Sequence, residues 1–221
     1  MRKSKRSNWT RSLRKWIERN LPMNHLFPDT MPVYVDSYVY LFGVLTIAAF
    51  VWIIISGVVL TIFGPEWWHV SPVGHFFNSL HFWSVQAFFF FMILHLWAQF
   101  WMAAWRGGRH WTWITGWLLF LVSIVTAFTG YLSQNNFDSQ WIGVQGKDAM
   151  NSVGISGFFN LLNFGQMYSL HIIVLPLCVT FLIAVHVLLV RIHGVVEPIG
   201  AEEFAPDSQD VSNMTSPETK Q

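Results

Sequence analysis

The chain has 221 residues, of which 53% are apolar, 17% aromatic and only 11% charged. Soluble globular domains carry about 25% charged residues, so this composition excludes an ordinary soluble protein and indicates a membrane protein. The net charge of +1 gives no reason to expect a nucleic-acid partner, and the single cysteine, Cys178, excludes an intrachain disulfide and a cysteine-based metal site.

Residues 1–36 are basic and predict a segment on the cytoplasmic side of the membrane. They hold eight of the thirteen Lys and Arg residues, with no signal-like apolar stretch. Residues 7–20 predict a basic amphipathic helix on the membrane surface, and residues 21–36, with three prolines, a connector. A disordered basic tail is the alternative, but tryptophans at helical spacing argue against it. The apolar face of the helix consists of Trp9, Leu13, Trp16 and Ile17.

Residues 37–194 contain four apolar segments, each long enough to cross a hydrocarbon layer about 30 Å thick. We name them spans A to D; they cover about 38–63, 78–105, 112–133 and 166–190.

The segments between and after the spans are polar or rich in turn-forming residues. Residues 64–72 predict a loop and residues 106–111 a basic turn. Residues 134–164 are polar and predict a short surface helix near 155–163. The acidic, Ser- and Pro-rich tail at 195–221 predicts disorder.

Four spans place both termini on the same side of a membrane. That side carries the early basic residues together with Arg106, Arg109 and Arg191, whereas the opposite loops carry Lys147 alone. Because positive charge is retained inside, we predict a multi-pass protein of the inner (cytoplasmic) membrane with both termini cytoplasmic.

Two spans carry two histidines each. His81 and His95 are 14 residues apart in span B, and His171 and His186 are 15 apart in span D. In an α-helix these separations climb about 21 and 22 Å and end about 40° short of, and 60° beyond, whole turns. Each pair therefore faces nearly one way at two depths. Matched by depth, His81 and His171 form the outer pair, and His95 and His186 the inner pair.

These four imidazoles predict two metal centres. Ionisable side chains are costly within a membrane and usually functional there, and imidazole is a common axial ligand of haem iron. Zinc would need further nitrogen, sulfur or oxygen ligands, and the spans offer no acid or thiol at those depths.

Two pairs of glycines repeat the histidine spacing. They are 14 residues apart in span A and again in span C. Glycine lets a flat group approach the backbone closely, so we predict that these residues pack beside haem at the two depths. Helix–helix packing is the alternative, but it does not explain the shared spacing. The glycines are Gly43, Gly57, Gly116 and Gly130.

With these features the chain resembles cytochrome b of the quinol–cytochrome c and b6f complexes, in its short four-helix form. The 15-residue spacing within HIIVLPLCVTFLIAVHVLLVRIHG is similar to that of the short form rather than the mitochondrial type. The resemblance covers about 8–198 and implies an all-α membrane protein, a four-transmembrane-helix bundle holding two stacked haems. The matching positions are Gly43, Gly57, His81, His95, Gly116, GYL at 130–132, His171 and His186.

The resemblance implies an electron-transport subunit of a bacterial respiratory quinol:cytochrome c oxidoreductase, not active alone. Its cofactors would be two non-covalent b-type haems, of low potential at the outer pair and high potential at the inner pair, and a quinone, either menaquinone or ubiquinone. Its partners would be a separate subunit with the later helices, a Rieske iron–sulfur protein and a c-type cytochrome or equivalent acceptor, in a homodimeric complex within lipid. Arg191 would contact an inner propionate or the quinone.

The chain departs from the family pattern near the outer site. Arginines that pair with haem propionates in the family correspond here to Asn78 and Ala98, and the segment at 133–136 differs from the family's Pro-Trp sequence. A cysteine that binds a covalent c-type haem in some short forms is replaced within 40–42, so no covalent haem is expected.

Two other functions stay open. One is a dihaem conduit between a redox partner and the quinone pool in a complex that does not bifurcate electrons, which the departures at the outer site favour. The other is a haem-free scaffold or transporter subunit, against which the histidine and glycine spacings argue.

Overall fold

The computed structural model describes residues 9–20 and 33–200, and every regular element within these ranges is helical. Four of the helical segments are long and apolar enough to cross a membrane, which confirms the predicted all-α, four-span architecture. As observed, span A is Tyr38–Phe63, span B Pro72–Trp101, span C His110–Leu132 and span D Phe164–His193.

The amino-terminal helix covers Trp9–Asn20. Its apolar side chains, including Trp9 and Trp16, are exposed, and Arg14 Nε lies 2.7 Å from Glu18 Oε1 one turn later. Its position on a membrane surface remains a prediction. Residues 21–32 and 201–221, on which most of the predicted connector and tail fall, lie outside the described residues.

The connection between spans A and B is helical rather than the predicted loop. Span A ends at Phe63, and Gly64 follows it with a φ of +79°, a backbone conformation that glycine adopts without side-chain strain. A short helix, Pro65–Val70, follows at once, with proline at its first position where no backbone N–H is needed. Span B then starts at Pro72.

The segment between spans C and D contains a helix at Phe137–Ser152 instead of the predicted helix near 155–163. Its start is set by a capping box: the Asn136 side chain accepts from the Ser139 backbone N–H at 2.9 Å, and the Asn136 N–H donates to Ser139 Oγ at 3.0 Å. Residues 153–159 form turns, with a positive φ of 76° at Gly154.

The four spans associate as two pairs. Span A packs mainly against span B, and span C mainly against span D, while close contacts between the two pairs are sparse. An apolar layer, formed mainly by spans A and B with one residue of span C, lies at mid-height between the two histidine depths. Its central residue, Phe88, is seven residues from both His81 and His95. The apolar layer consists of Ala49, Phe88 and Met92, packed against Phe50, Ile53, Ala87, Phe89, Leu96 and Phe120.

Candidate functional site: two histidine pairs between the helices

The outer pair meets across the gap between the two helix pairs. The ring centroids of His81 and His171 are 6.2 Å apart and the ring planes are inclined by 86°. An imidazole nitrogen lies about 2 Å from a transition metal that it ligates, and the ring centre lies roughly 1 Å further. Two imidazoles on opposite sides of one iron therefore have centres about 6 Å apart, so the outer pair has the separation of two axial ligands.

The inner pair is also brought together by the fold. His95 and His186 belong to spans B and D and lie close enough for their rings to interact electrostatically. Thus the structure pairs the four histidines by depth, as the sequence predicts. Their role as iron ligands remains a prediction.

Each of the four glycines contacts one histidine ring. A Cβ at Gly43 would lie 3.1 Å from His95 Cε1, one at Gly57 3.2 Å from His81 Cε1, and one at Gly116 3.3 Å from His186 Cε1. A Cβ at Gly130 would overlap the His171 ring, with Nε2 at 2.8 Å. The glycines thus admit the imidazole edges to the backbone of the facing helix. Their immediate neighbours within the protein are therefore the rings, and their packing beside a flat macrocycle remains a prediction.

Hydroxyl groups next to three of these glycines contact the same rings. Ser56 Oγ lies 3.0 Å from His81 Nδ1, Thr115 Oγ1 3.1 Å from His186 Nδ1, and Thr129 Oγ1 3.5 Å from His171 Nδ1. Each hydroxyl directly precedes a glycine in sequence. Our sequence analysis missed these three residues, although the repeated Ser/Thr-Gly dipeptide is a visible signal.

Backbone carbonyls complete the same three contacts. His81 Nδ1 lies 3.2 Å from the Ile53 carbonyl oxygen and His171 Nδ1 lies 2.9 Å from that of Thr126. The backbone of Thr112 is the corresponding hydrogen-bond partner of His186. In each case the carbonyl belongs to the residue four before the glycine. Because a carbonyl only accepts, Nδ1 carries the proton, and Nε2 is left free to bind a metal.

Span D contains a local change of helix type at His171. Residues Leu170–Val174 form a π-turn, in which the Leu175 N–H donates to the Leu170 carbonyl. Pro176 explains it, since proline has no N–H for the Ile172 carbonyl and its ring crowds that group. A single π-helical turn accommodates one extra residue, so the residues after it face the same direction as if that residue were absent. The 15-residue spacing in span D therefore acts as 14, which matches span B.

A cavity of about 750 Å³ surrounds the outer pair. This volume lies within the range of about 300–1,000 Å³ that is usual for cofactor sites. His81, His171, Gly57 and Gly130 line it, together with polar residues from the loop end of the bundle. The matched ring separation, the glycine contacts and the cavity fit a flat bis-histidine haem.

The polar wall of this cavity contains a reciprocal pair of amides. Asn78 Nδ2 donates to Gln134 Oε1 at 3.2 Å, and Gln134 Nε2 donates to Asn78 Oδ1 at 3.0 Å. The Gln134 carbonyl lies 2.8 Å from His69 Nε2. Two of the positions at which the chain departs from the family pattern thus contact each other, and both carry neutral groups.

The remaining predicted residue, Arg191, is exposed and does not join the histidine pairs. At the same end of the bundle Arg109 donates to the carbonyl oxygens of Gly194 and Val195, at 3.5 and 3.4 Å, and Tyr40 Oη donates to the Val196 carbonyl at 2.7 Å. Within the described ranges no group of three or more His, Cys, Asp or Glu side chains could hold a metal ion, so nothing there favours zinc over haem.

Comparison with known proteins agrees with this architecture. Residues 86–216 match the family described as cytochrome b(N-terminal)/b6/petB. Cytochrome b6 of Heliomicrobium gestii is 24% identical over 212 residues, which cover 84% of this chain and 100% of the relative. The menaquinol:cytochrome c reductase cytochrome b subunit of Geobacillus thermodenitrificans is 27% identical, over 83% of this chain and 97% of the relative.

Two further matches are longer proteins. The cytochrome bc complex cytochrome b subunit of Chlorobaculum thiosulfatiphilum is 31% identical over 143 residues, 60% of this chain but only 33% of the relative. The solved structure named hyperthermophilic respiratory complex III superposes with a TM-score of 0.68 at 24% identity, over 89% of this chain and 59% of the other. That likeness supports the fold. With a family match over more than half of its residues, this chain belongs to the cytochrome b(N-terminal)/b6 family.

Proposed function

We propose that the chain is the dihaem cytochrome b subunit of a quinol-oxidising membrane complex. The observation that carries this proposal is the glycine–imidazole contact, present at two depths in each helix pair, with an outer pair 6.2 Å apart. His81 and His171 would hold the outer haem, and His95 and His186 the inner haem. Bound haem iron accepts and releases one electron at a time.

The chain's own residues would define the electron path. The histidines fix two centres about 20 Å apart along the bundle, and the apolar layer keeps water from the space between them. Backbone carbonyls hold three of the rings in one tautomer, and the hydroxyls of Ser56, Thr115 and Thr129 contact the same nitrogen atoms. An electron entering at the outer site would thus cross the membrane to a quinone near the inner end.

A quinol releases two electrons, so the electron that does not enter at the outer histidine pair would need another acceptor. We propose a Rieske iron–sulfur protein passing it to a c-type cytochrome, and a further subunit that supplies the later helices of the complex. Two relatives are named as cytochrome b subunits of menaquinol:cytochrome c reductases, which supports a quinol as donor and menaquinone ahead of ubiquinone.

The proposal is tested by measuring haem in the purified chain or its complex. We expect two b-type haems per chain in the pyridine haemochrome assay, and His95→Ala should remove the inner haem while the outer spectrum remains. Absence of haem from the unmodified protein would refute the proposal. Loss of both haems in His95→Ala but neither in a matched exposed variant, His75→Ala, would refute the pairing by depth.

The amide pair favours a second candidate function. Asn78 and Gln134 place neutral groups at the outer cavity, where the resemblance implies a cation, and Gln134 belongs to the altered segment. The chain would then be a dihaem conduit in a complex that does not bifurcate electrons.

The two functions differ in whether the outer site passes an electron to a Rieske protein. For the first, a Rieske protein should copurify, and an inhibitor of the outer quinol site should block cytochrome c reduction. Rapid haem reduction by quinol in a purified complex without a Rieske protein would support the conduit instead.

A further inference from the structure

The four histidines are not held alike. His81, His171 and His186 each have a hydroxyl and a carbonyl oxygen at Nδ1. His95 Nδ1 is buried and has no hydrogen-bond partner among the described residues. The difference lies within the inner pair, because its other member, His186, has both contacts.

The sequence at span A explains why His95 lacks them. The hydroxyl residue that precedes the other three glycines is replaced before Gly43 by Phe42. The carbonyl four residues earlier would be that of Val39, which lies in a 3₁₀ turn, Tyr38–Tyr40, because the α-helix begins only at Leu41. Gly43 is thus too close to the start of the helix to offer the usual acceptor.

A hydrogen bond at Nδ1 would change the reduction potential of an iron bound at Nε2. When Nδ1–H donates to an oxygen, the ring becomes more basic and more negative at Nε2. A more basic ligand stabilises ferric iron over ferrous iron and lowers the reduction potential, and such hydrogen bonds are one of the means by which a protein tunes haem. An imidazole without this bond favours the ferrous state.

We propose that Phe42 is a positioning residue, which withholds the anchoring oxygen from His95 and so makes the inner haem easier to reduce than the outer one. This inference rests on the proposed function, since it requires haem at both pairs. The outer haem would have two anchored ligands and the inner haem one. An electron would therefore move downhill from the outer to the inner site because of a difference in ligand hydrogen bonding.

The test restores the missing oxygen and removes an existing one. Phe42→Ser and Phe42→Thr should lower the midpoint potential of the inner haem and leave the outer haem unchanged in an optical redox titration of the purified complex. Ser56→Ala should raise the potential of the outer haem alone, with rescue by Ser56→Thr. Leu41→Ser is the matched control: its side chain is 46% exposed, and neither haem should shift.

Electron paramagnetic resonance of the oxidised protein gives a second readout, because the inner haem signal should move in Phe42→Ser as ligand basicity rises. If that variant does not fold, Thr115→Val tests the same ring pair from the other side and should raise the inner potential. Two bound haems with an unmoved inner potential in all these variants would overturn the inference alone. Absence of haem from the unmodified protein would overturn the proposed function together with it.

Discussion

The contact between a glycine and an imidazole edge occurs four times in this molecule, once at each predicted ligand. At three of the four sites the ring approaches the backbone of the facing helix so closely that a hydroxyl and a carbonyl on that helix reach Nδ1. The glycine is therefore what permits the hydrogen bonds that orient the ligand. Orientation of this kind commonly changes the metal affinity of a site by 10- to 100-fold.

Substituting these glycines should weaken haem binding in a graded way. Gly130→Ala places a methyl group on the His171 ring, whereas at Gly116 the nearest ring atom would be 3.3 Å away. Overpacking of this kind costs about 1–3 kcal/mol. We expect the haem content of the outer site to fall by about tenfold or more in Gly130→Ala, measured by difference spectra, and less at the inner site in Gly116→Ala.

Gly157→Ala provides the control, because a Cβ there would meet nothing within 4 Å, and its spectrum should match the unmodified protein. Equal haem loss in all three variants would show that glycine contacts with the rings are irrelevant to binding.

At the residue scale, the pairing of the histidines by depth was predictable because their spacing follows helix geometry. The anchoring hydroxyls were not found, because serine and threonine are common in membrane helices and usually bond to their own helix. Ser56 does so as well, donating to the Trp52 carbonyl at 2.6 Å. The second role, toward a ring on another helix, depends on packing between spans that periodicity alone does not reveal.

At the scale of the helix, span D differs from span B by one residue, and the π-turn at His171 accommodates it. Without the turn, His171 and His186 would be offset by about 60° one way and the span B pair by about 40° the other. With the π-turn, the angular offset between His171 and His186 equals that between His81 and His95. The turn therefore aligns span D with span B at both depths.

Two single-residue deletions in span D should separate the effect of the histidine spacing from the effect of the π-turn. Deleting Ile173 in a Pro176→Ala background removes the extra residue inside the π-turn together with the proline that causes it, so we expect a continuous α-helix, a 14-residue spacing and two bound haems. Deleting Ile183 shortens the spacing while the π-turn stays, and rotates His186 by about 100° relative to His171. That variant should lose a haem in the pyridine haemochrome assay. The same haem content in both deletions would contradict the alignment argument.

The four spans were predictable from the length of the apolar segments, whereas the structure of the connections between them was harder to predict. Helix Phe137–Ser152 was missed because its sequence mixes polar residues and two glycines with scattered apolar residues, so no clear apolar face marks it as a helix. Its start depends on reciprocal bonds between Asn136 and Ser139. The π-turn was missed because nothing in apolar periodicity distinguishes 15 residues with a wide turn from 15 without one, although Pro176 marks the place.

Across the whole molecule, positive charge gathers at one end. Arg106 and Arg109 follow span B, and Arg191 ends span D, while the opposite connections carry Lys147 alone. The positive-inside rule then predicts that the loop between spans C and D lies outside. The fold is consistent with this orientation, because four spans return the chain to the side on which it starts.

Cysteine labelling tests the orientation in a Cys178→Ser background. A cysteine at Lys147→Cys should react with a membrane-impermeant maleimide in intact cells, because the positive-inside rule places it outside. One at Ser208→Cys should react only after permeabilisation. The reverse pattern would invert the outer and inner assignments throughout.

The apolar layer has an electrical consequence for a protein that holds two haems as proposed. Phe50 and Phe88, whose ring centroids are 5.9 Å apart, belong to this apolar layer, which screens charge poorly. Two unit charges about 20 Å apart at an effective dielectric constant of about 20 repel by roughly 0.8 kcal/mol. An electron on either haem should therefore lower the reduction potential of the other by about 35 mV. The two waves of a redox titration should broaden and separate, and the pair of haems should preferentially carry one electron at a time.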